Sequence, residues 1–211
     1  MKLLAINTAF NQSYVSLLND DCKYVKSVDS SLKQSENILG IVSDVFDEAK
    51  LKVFNLDAIA CVVGPGSFTG IRIGVGLCKG FCVACKNIKK IQINSLDLLA
   101  FAYSKKAKQN FNVVLNALSG NLFVCKYNKD GKRLCEPYLL TQELQPDCEV
   151  VGLKEENLDF CSYYEEFTSS DLLNYATMLF NANEFSENFI PVYLRKSQAE
   201  AELDKKPNNQ T

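Results

Sequence analysis

The chain has 211 residues, 47% of them hydrophobic and 23% charged, with 23 basic residues against 25 acidic ones. That supplies enough apolar material for one large or two small globular domains, while the near-balance of charge excludes the basic footprint that drives autonomous nucleic-acid binding. Histidine is absent, which removes serine–histidine and cysteine–histidine nucleophile systems, histidine-ligated metal sites and the commonest general acid–base group.

Met1 to Asn7 leads directly into a strand-like pattern, and no apolar stretch approaches the roughly 20 residues that a membrane-spanning helix needs. A cytoplasmic protein with no membrane contact is expected. Lys2 to Ala9, Ser13 to Leu18 and Cys22 to Asp29 are short β-rich runs broken by Asn11-Gln12 and Asn19-Asp20-Asp21, the spacing of an antiparallel meander. A helix is expected over 35–49 with Ser35 as its N-cap, because Ile38, Leu39, Val42, Val45, Phe46 and Ala49 recur at intervals of three and four.

A strand over 57–63 then meets the run Gly64-Pro65-Gly66-Ser67-Phe68-Thr69-Gly70-Ile71-Arg72, which opens a helix to about Cys85. A glycine-rich strand-to-helix turn can aim backbone amides at an anion, or be a tight turn with Ser67 or Thr69 as N-cap. The spacing fits neither the dinucleotide fingerprint nor the P-loop, since no Gly-Lys-Ser/Thr closes it. Inside the helix, Gly70/Gly74 and Gly76/Gly80 stand four apart. Each glycine there costs on the order of 1 kcal/mol against alanine, so close approach of another backbone is required, from this chain's own packing or from a partner. Arg72 reads as a surface salt-bridge residue or as an anion or carboxylate contact.

A strand at 90–93 and a helix opening at Ser95 complete the first half. A polar stretch at 104–110 marks the boundary, giving expected units of 1–104 and 105–195 and a polar tail over 196–211. The second half begins as the first did, with β runs at 111–116, 121–127 and 132–140, followed by a strand at 149–151 and a helix over 170–181. The expected fold class is therefore α/β, the actin-like ATPase (ribonuclease H-like) fold, built from two duplicated βββαβα-type subdomains facing each other across a cleft. Cys61, Cys78, Cys82, Cys85 and Cys125 lie in apolar runs and read as buried hydrophobes, although Cys82 and Cys85 formally match a dithiol or half a zinc site. Asp44, Asp47, Glu48, Glu155 and Glu156 read as solvated helix faces.

Leu4-Ala5-Ile6-Asn7-Thr8, Gln34-Ser35-Glu36, the run from Gly64 to Gly74, Lys79-Gly80, Ser169-Ser170-Asp171-Leu172 and Pro191-Val192-Tyr193-Leu194-Arg195 together resemble the TsaB (YeaZ) family of tRNA threonylcarbamoyladenosine biosynthesis proteins. The resemblance runs through nearly all of residues 1–195 and is loosest in the second half. It implies a subunit without activity of its own that supports a TsaD-like enzyme in threonylcarbamoyl transfer to the tRNA adenosine beside the anticodon. It also implies a heterodimer with that enzyme, a TsaE-like ATPase in a larger complex, a homodimer when alone, and tRNA contact only through the complex. No cofactor is expected in this chain, with ATP and metal held in the partner complex. In the family the first two helices form the contact, which carries over here as Ile38, Leu39, Val42, Ser67, Phe68, Thr69, Gly70, Arg72 and Gly74.

Departures from the family pattern bear on catalysis and, at Gln34, on the partner surface. Asn7 and Asn116 stand where the family commonly has aspartate, the loops 8–11 and 117–120 replace the phosphate loops of actin-like ATPases, and Gln34 replaces a frequent histidine. Neutral amides do not supply the charge that anchors Mg²⁺. The alternative, a stand-alone nucleotide-binding ATPase or kinase working in the cleft, needs a carboxylate at one of those strand ends.

Overall fold

Residues 1–29, 34–85, 87–156 and 158–195 are described in a computed structural model of the chain; the expected tail, 196–211, lies outside the described residues. Two five-stranded sheets carry the fold. The first is built from β1 (Lys2–Asn7), β2 (Gln12–Asn19), β3 (Cys22–Asp29), β4 (Ala58–Gly64) and β5 (Lys89–Asn94), in the order β3-β2-β1-β4-β5. The second comprises β6 (Phe111–Asn116), β7 (Leu122–Tyr127), β8 (Tyr138–Leu140), β9 (Glu149–Leu153) and β10 (Tyr163–Glu165), in the order β10-β9-β6-β7-β8. In each, the leading strand pairs antiparallel with its hairpin partner and parallel with the strand after the crossover, with Leu3 opposite both Leu18 and Ala58 and Val113 opposite both Cys125 and Val151. The duplication expected from the two meanders is therefore a repeat of topology and pairing, in the actin-like α/β class.

β4 is buried along its whole length and β1 over all but its first residue, as strands covered on both faces are. On one face lie α1 (Gln34–Ala49), against β2 and β3, and α2 (Phe68–Ala84), against β4 and β1; the rings of Phe46 and Phe81 meet edge to face at 6.4 Å. On the other, α3 (Ser95–Ser104) and α4 (Ser169–Asn181) pack together between the two sheets. α3 follows β5 in sequence yet touches β6, β7 and β10, and α4 belongs to the second repeat yet packs on β1 and β2. One apolar core thus runs through both repeats. Asp97 of α3 closes the crossing, accepting from Arg133 Nε and Nη2 at 2.6 Å each and from the Tyr127 hydroxyl at 2.8 Å.

The second repeat is trimmed. Among the described residues, no helix joins β8 to β9, and only a single 3₁₀ turn, Lys154–Glu156, stands between β9 and β10. The outer face of its sheet, Val114, Leu122, Val124 and Val150, is closed by Leu140, Leu144, Leu158 and Cys161. The third β run, expected over 132–140, is regular only at Tyr138–Leu140, preceded by one bridge from Tyr127 to Arg133. β10 was not expected: three residues are too few to show a period.

Candidate functional site

The two repeats place equivalent strand ends face to face. Each leading strand stops at an asparagine whose side chain closes the loop that follows: Asn7 Oδ1 accepts from Ala9 N at 3.0 Å, and Asn116 Oδ1 accepts from Leu118 N at 2.7 Å. This is the asparagine turn, in which the side-chain oxygen stands in for a backbone acceptor two residues earlier. Both oxygens are committed to their own loops and neither is charged, so the pair does not fit a Mg²⁺ site. No group of three or more cysteine and carboxylate side chains with metal-ligand spacing occurs among the described residues.

Between these ends opens a cleft of about 710 Å³. One wall is the turn from Gly66 to Thr69 with Arg72, Arg195 and the loop Ala9–Asn11; the other is Leu115, Asn116, Leu118, Phe123, Leu153, Glu155 and Glu156. The glycine turn is shaped by close contact within the chain. A Cβ at Gly66 would lie 2.5 Å from the Ala9 carbonyl oxygen, the atom that accepts from Ser67 N at 3.0 Å. Ser67 caps α2, its hydroxyl accepting from Gly70 N at 3.2 Å, which decides between the two candidate caps.

The C-terminal residues return to this turn. Val192 N donates to Val63 O at 2.8 Å, Tyr193 stacks on Phe68 with ring centroids 4.9 Å apart, and Arg72 Nε donates to the Tyr193 hydroxyl at 3.1 Å. Arg72 therefore serves an aromatic stack, and the surface salt bridge expected of it does not form among the described residues. Glu155 and Glu156, expected on a solvated helix face, line the cleft instead. Burial pushes the Glu156 carboxyl up to about 7 and Glu155 beside it adds to the rise, against the lowering effect of the Asn116 amide, which donates to Glu156 Oε2 at 2.7 Å.

The candidate contact residues divide by burial. Ile38, Val42, Gly70 and Gly74 are buried in this chain's own core and present nothing outward, which corrects their assignment to a surface. The reason is plainest at Gly74, where a Cβ would stand 2.3 Å from Thr8 Oγ1, itself donating to Gly70 O at 2.6 Å. Leu39, Ser67, Thr69 and Arg72 are exposed, and Phe68 is half-buried in its stack. The second glycine pair behaves differently: Gly76 and Gly80 are exposed, and a Cβ at either meets nothing within 4 Å, as at Gly40 on α1. Val83, 80% exposed, stands seven residues after Gly76 and so shares its face of α2, and Leu39, 58% exposed, precedes Gly40 on α1. Gly40 and Val83 carry no sequence signal of their own, because an apolar or small residue reads alike inside and outside.

The thiols do not assemble a site. Cys61, Cys78 and Cys125 are buried, Cys82 and Cys85 are half-buried, and all nine cysteines are free. Burial holds the Cys78 thiol well above the usual thiol range, as for a small hydrophobe. No helix among the described residues is long and apolar enough to cross a membrane.

Comparison with known proteins agrees with this geometry. The profile of the TsaD family, tRNA N6-adenosine threonylcarbamoyltransferase, matches residues 28–144, more than half of the chain. The TsaB protein of Escherichia coli is 28% identical over 131 residues, 62% of this chain and 56% of that protein. The Haemophilus influenzae TsaB is 23% identical over 214 residues, 93% of this chain and 88% of that one. The matches to the E. coli and Buchnera aphidicola (Schizaphis graminum) proteins span 56% and 63% of those relatives, under two thirds of their lengths. In structure, the YeaZ protein of Pseudomonas aeruginosa superposes with a TM-score of 0.75 over 92% of this chain and 99% of that one, at 23% identity. A second P. aeruginosa structure, described as similar to peptidase YEAZ, gives a TM-score of 0.76 at the same identity.

Proposed function

This chain belongs to the TsaD family of tRNA N6-adenosine threonylcarbamoyltransferases and, within it, to the TsaB (YeaZ) proteins of threonylcarbamoyladenosine biosynthesis, and we propose that it is the non-catalytic subunit that docks on and supports a TsaD-like enzyme. The observation that carries this reading is the outward side of α1 and α2. A glycine in a helix interior costs on the order of 1 kcal/mol against alanine, and at Gly76 and Gly80 no contact among the described residues accounts for it. Close approach of a second helix does account for it, and the exposed Leu39 and Val83 beside this strip supply apolar area for such a contact. The docking set is accordingly Leu39, Gly40, Gly76, Gly80 and Val83, with Thr69 and Arg72 at the α2 N-terminal end.

In this role the chain binds tRNA only through the complex, meets a TsaE-like ATPase in the larger assembly, and leaves ATP and metal to its partners. Alone, it pairs with a second copy through the same helices. It works in the cytoplasm and has no turnover of its own, in keeping with two neutral, loop-committed asparagines at the strand ends. Co-expression with the TsaD homologue of the same organism tests the reading: a complex of equal stoichiometry on size exclusion is expected. Two separate peaks, or ATP hydrolysis by this chain alone with Mg²⁺, would contradict it.

A further inference from the structure

Arg72 belongs by spacing to the same face of α2 as the open glycines, three residues after Thr69 and four before Gly76, with Lys79, Gly80 and Val83 continuing that face. All of these residues are exposed. α1 contains no lysine or arginine and α2 no carboxylate. The α1 carboxylates Asp44 and Glu48 share Lys26 of β3, at 3.5 and 2.7 Å, whereas neither cation of α2 makes an ion pair among the described residues. Unlike Lys79, Arg72 is held all the same. Its Nε donates to the Tyr193 hydroxyl at 3.1 Å, and its guanidinium carbon lies 5.9 Å from the Phe68 centroid and 5.7 Å from that of Tyr193. The two centroids are 4.9 Å apart, so these near-equal distances put the guanidinium beside the stacked pair rather than between the rings. Val192 N, donating to Val63 O at 2.8 Å, ties the segment that carries Tyr193 to the end of β4.

We propose that Arg72 is the charged anchor of the docking face: its Nη1 and Nη2 seat an aspartate or glutamate carboxylate of the TsaD-like partner, and Tyr193 is the positioning residue that orients the fork before the partner arrives. This rests on the docking reading given above. Nε carries a single hydrogen, already donated to Tyr193, so the carboxylate is taken end-on by the two terminal nitrogens, which make no hydrogen bond among the described residues. A planar fork matches a carboxylate with two charge-assisted hydrogen bonds. A free surface arginine would lose rotamer entropy on making them, and the aromatic pair removes much of that cost in advance. With no carboxylate on α2 to compete, the partner carries its acidic residue where it meets the first turns of α2 and small or apolar residues along Gly76, Gly80 and Val83.

Surface plasmon resonance of the full chain against the TsaD homologue of the same organism tests this, with thermal melts showing each variant folded. Arg72→Lys keeps the charge and loses the fork, and should weaken binding at least about tenfold, the effect of one charge-assisted hydrogen bond. Tyr193→Phe keeps the stack and removes only the hydroxyl, and should weaken binding at least about threefold. The double variant should bind as Arg72→Lys does, because the hydroxyl acts only through the arginine; a purely structural role for Tyr193 would instead add its own loss. A loss below tenfold in Arg72→Lys, below threefold in Tyr193→Phe, or additive losses in the double variant would overturn the proposal. Gly76→Arg, measured alongside, separates the two readings. If it abolishes binding while Arg72→Lys binds as wild type, the anchor alone is wrong; if it binds as wild type, the docking face is wrong and the anchor falls with it.

Discussion

The two repeats share one strand order and one pattern of pairing, yet among the described residues only the first keeps a helix in each of its inner crossovers. Its sheet carries α1 and α2 on the outside; the second sheet has the stretch 141–148 and the Lys154–Glu156 turn at the equivalent places. The consequence is a division of labour. The first repeat turns two long helices outward with exposed glycines, a face suited to another chain, while the trimmed repeat brings Glu155 and Glu156 to the cleft because only a short turn follows β9. α3 and α4, equivalent to each other, remain in both repeats because each packs on the other repeat's sheet as well as its own partner helix, so losing either would open the common core.

The largest effect expected from breaking this comparison is at the first glycine pair. Gly74→Arg places a side chain where even a Cβ meets Thr8 at 2.3 Å, and should cost more than about 3 kcal/mol or prevent folding, read as the loss of a cooperative thermal transition. Next comes the tie between repeats. Asp97→Ala leaves the buried Tyr127 hydroxyl without its acceptor and Arg133 with only the exposed Glu136 and should cost about 2 kcal/mol in denaturant unfolding, whereas removing the exposed Lys154–Glu166 pair should cost under about 1 kcal/mol.

Glu156 sets a pH dependence in the trimmed repeat. Its folded pKa of about 7 lies above the ordinary 4.5, so the folded state holds its proton more tightly than the unfolded chain. Its contribution is fully present below about pH 4.5 and is lost as pH rises to about 7. Glu156→Gln keeps an acceptor for Asn116 N and removes the charge. It should therefore raise stability at pH 8 by on the order of 2 kcal/mol and flatten the slope between pH 4.5 and 7, measured by urea unfolding across that range. The smallest effect is at the second glycine pair: Gly76→Ala, with open space around it, should stabilise the isolated chain by about 0.5–1 kcal/mol while weakening partner binding.

Most strand positions and all four α-helices are legible in the sequence, because the meanders and the three-and-four spacing of α1 are local patterns. What escaped it is tertiary. Nothing near Glu156 in the chain tells that it faces a cleft, and Phe68 meets Tyr193 and Arg195 across more than a hundred residues. Likewise Gly74 and Gly76 are both helix-interior glycines in the sequence, and only the position of Thr8 makes one a core residue and leaves the other outside. The lesson for the candidate site is that spacing finds the stripe, and burial decides which side of the helix it serves.

The central claim, that the open glycines of α2 are a docking face, is tested most directly by the affinity of Gly76→Arg for the TsaD homologue in surface plasmon resonance. A long charged side chain at a point of close backbone approach blocks association, so a loss of at least about 100-fold is predicted, roughly 2.7 kcal/mol, with the thermal midpoint of the isolated chain unchanged or raised. Wild-type affinity in the folded variant would contradict the account and move the partner surface elsewhere on the molecule.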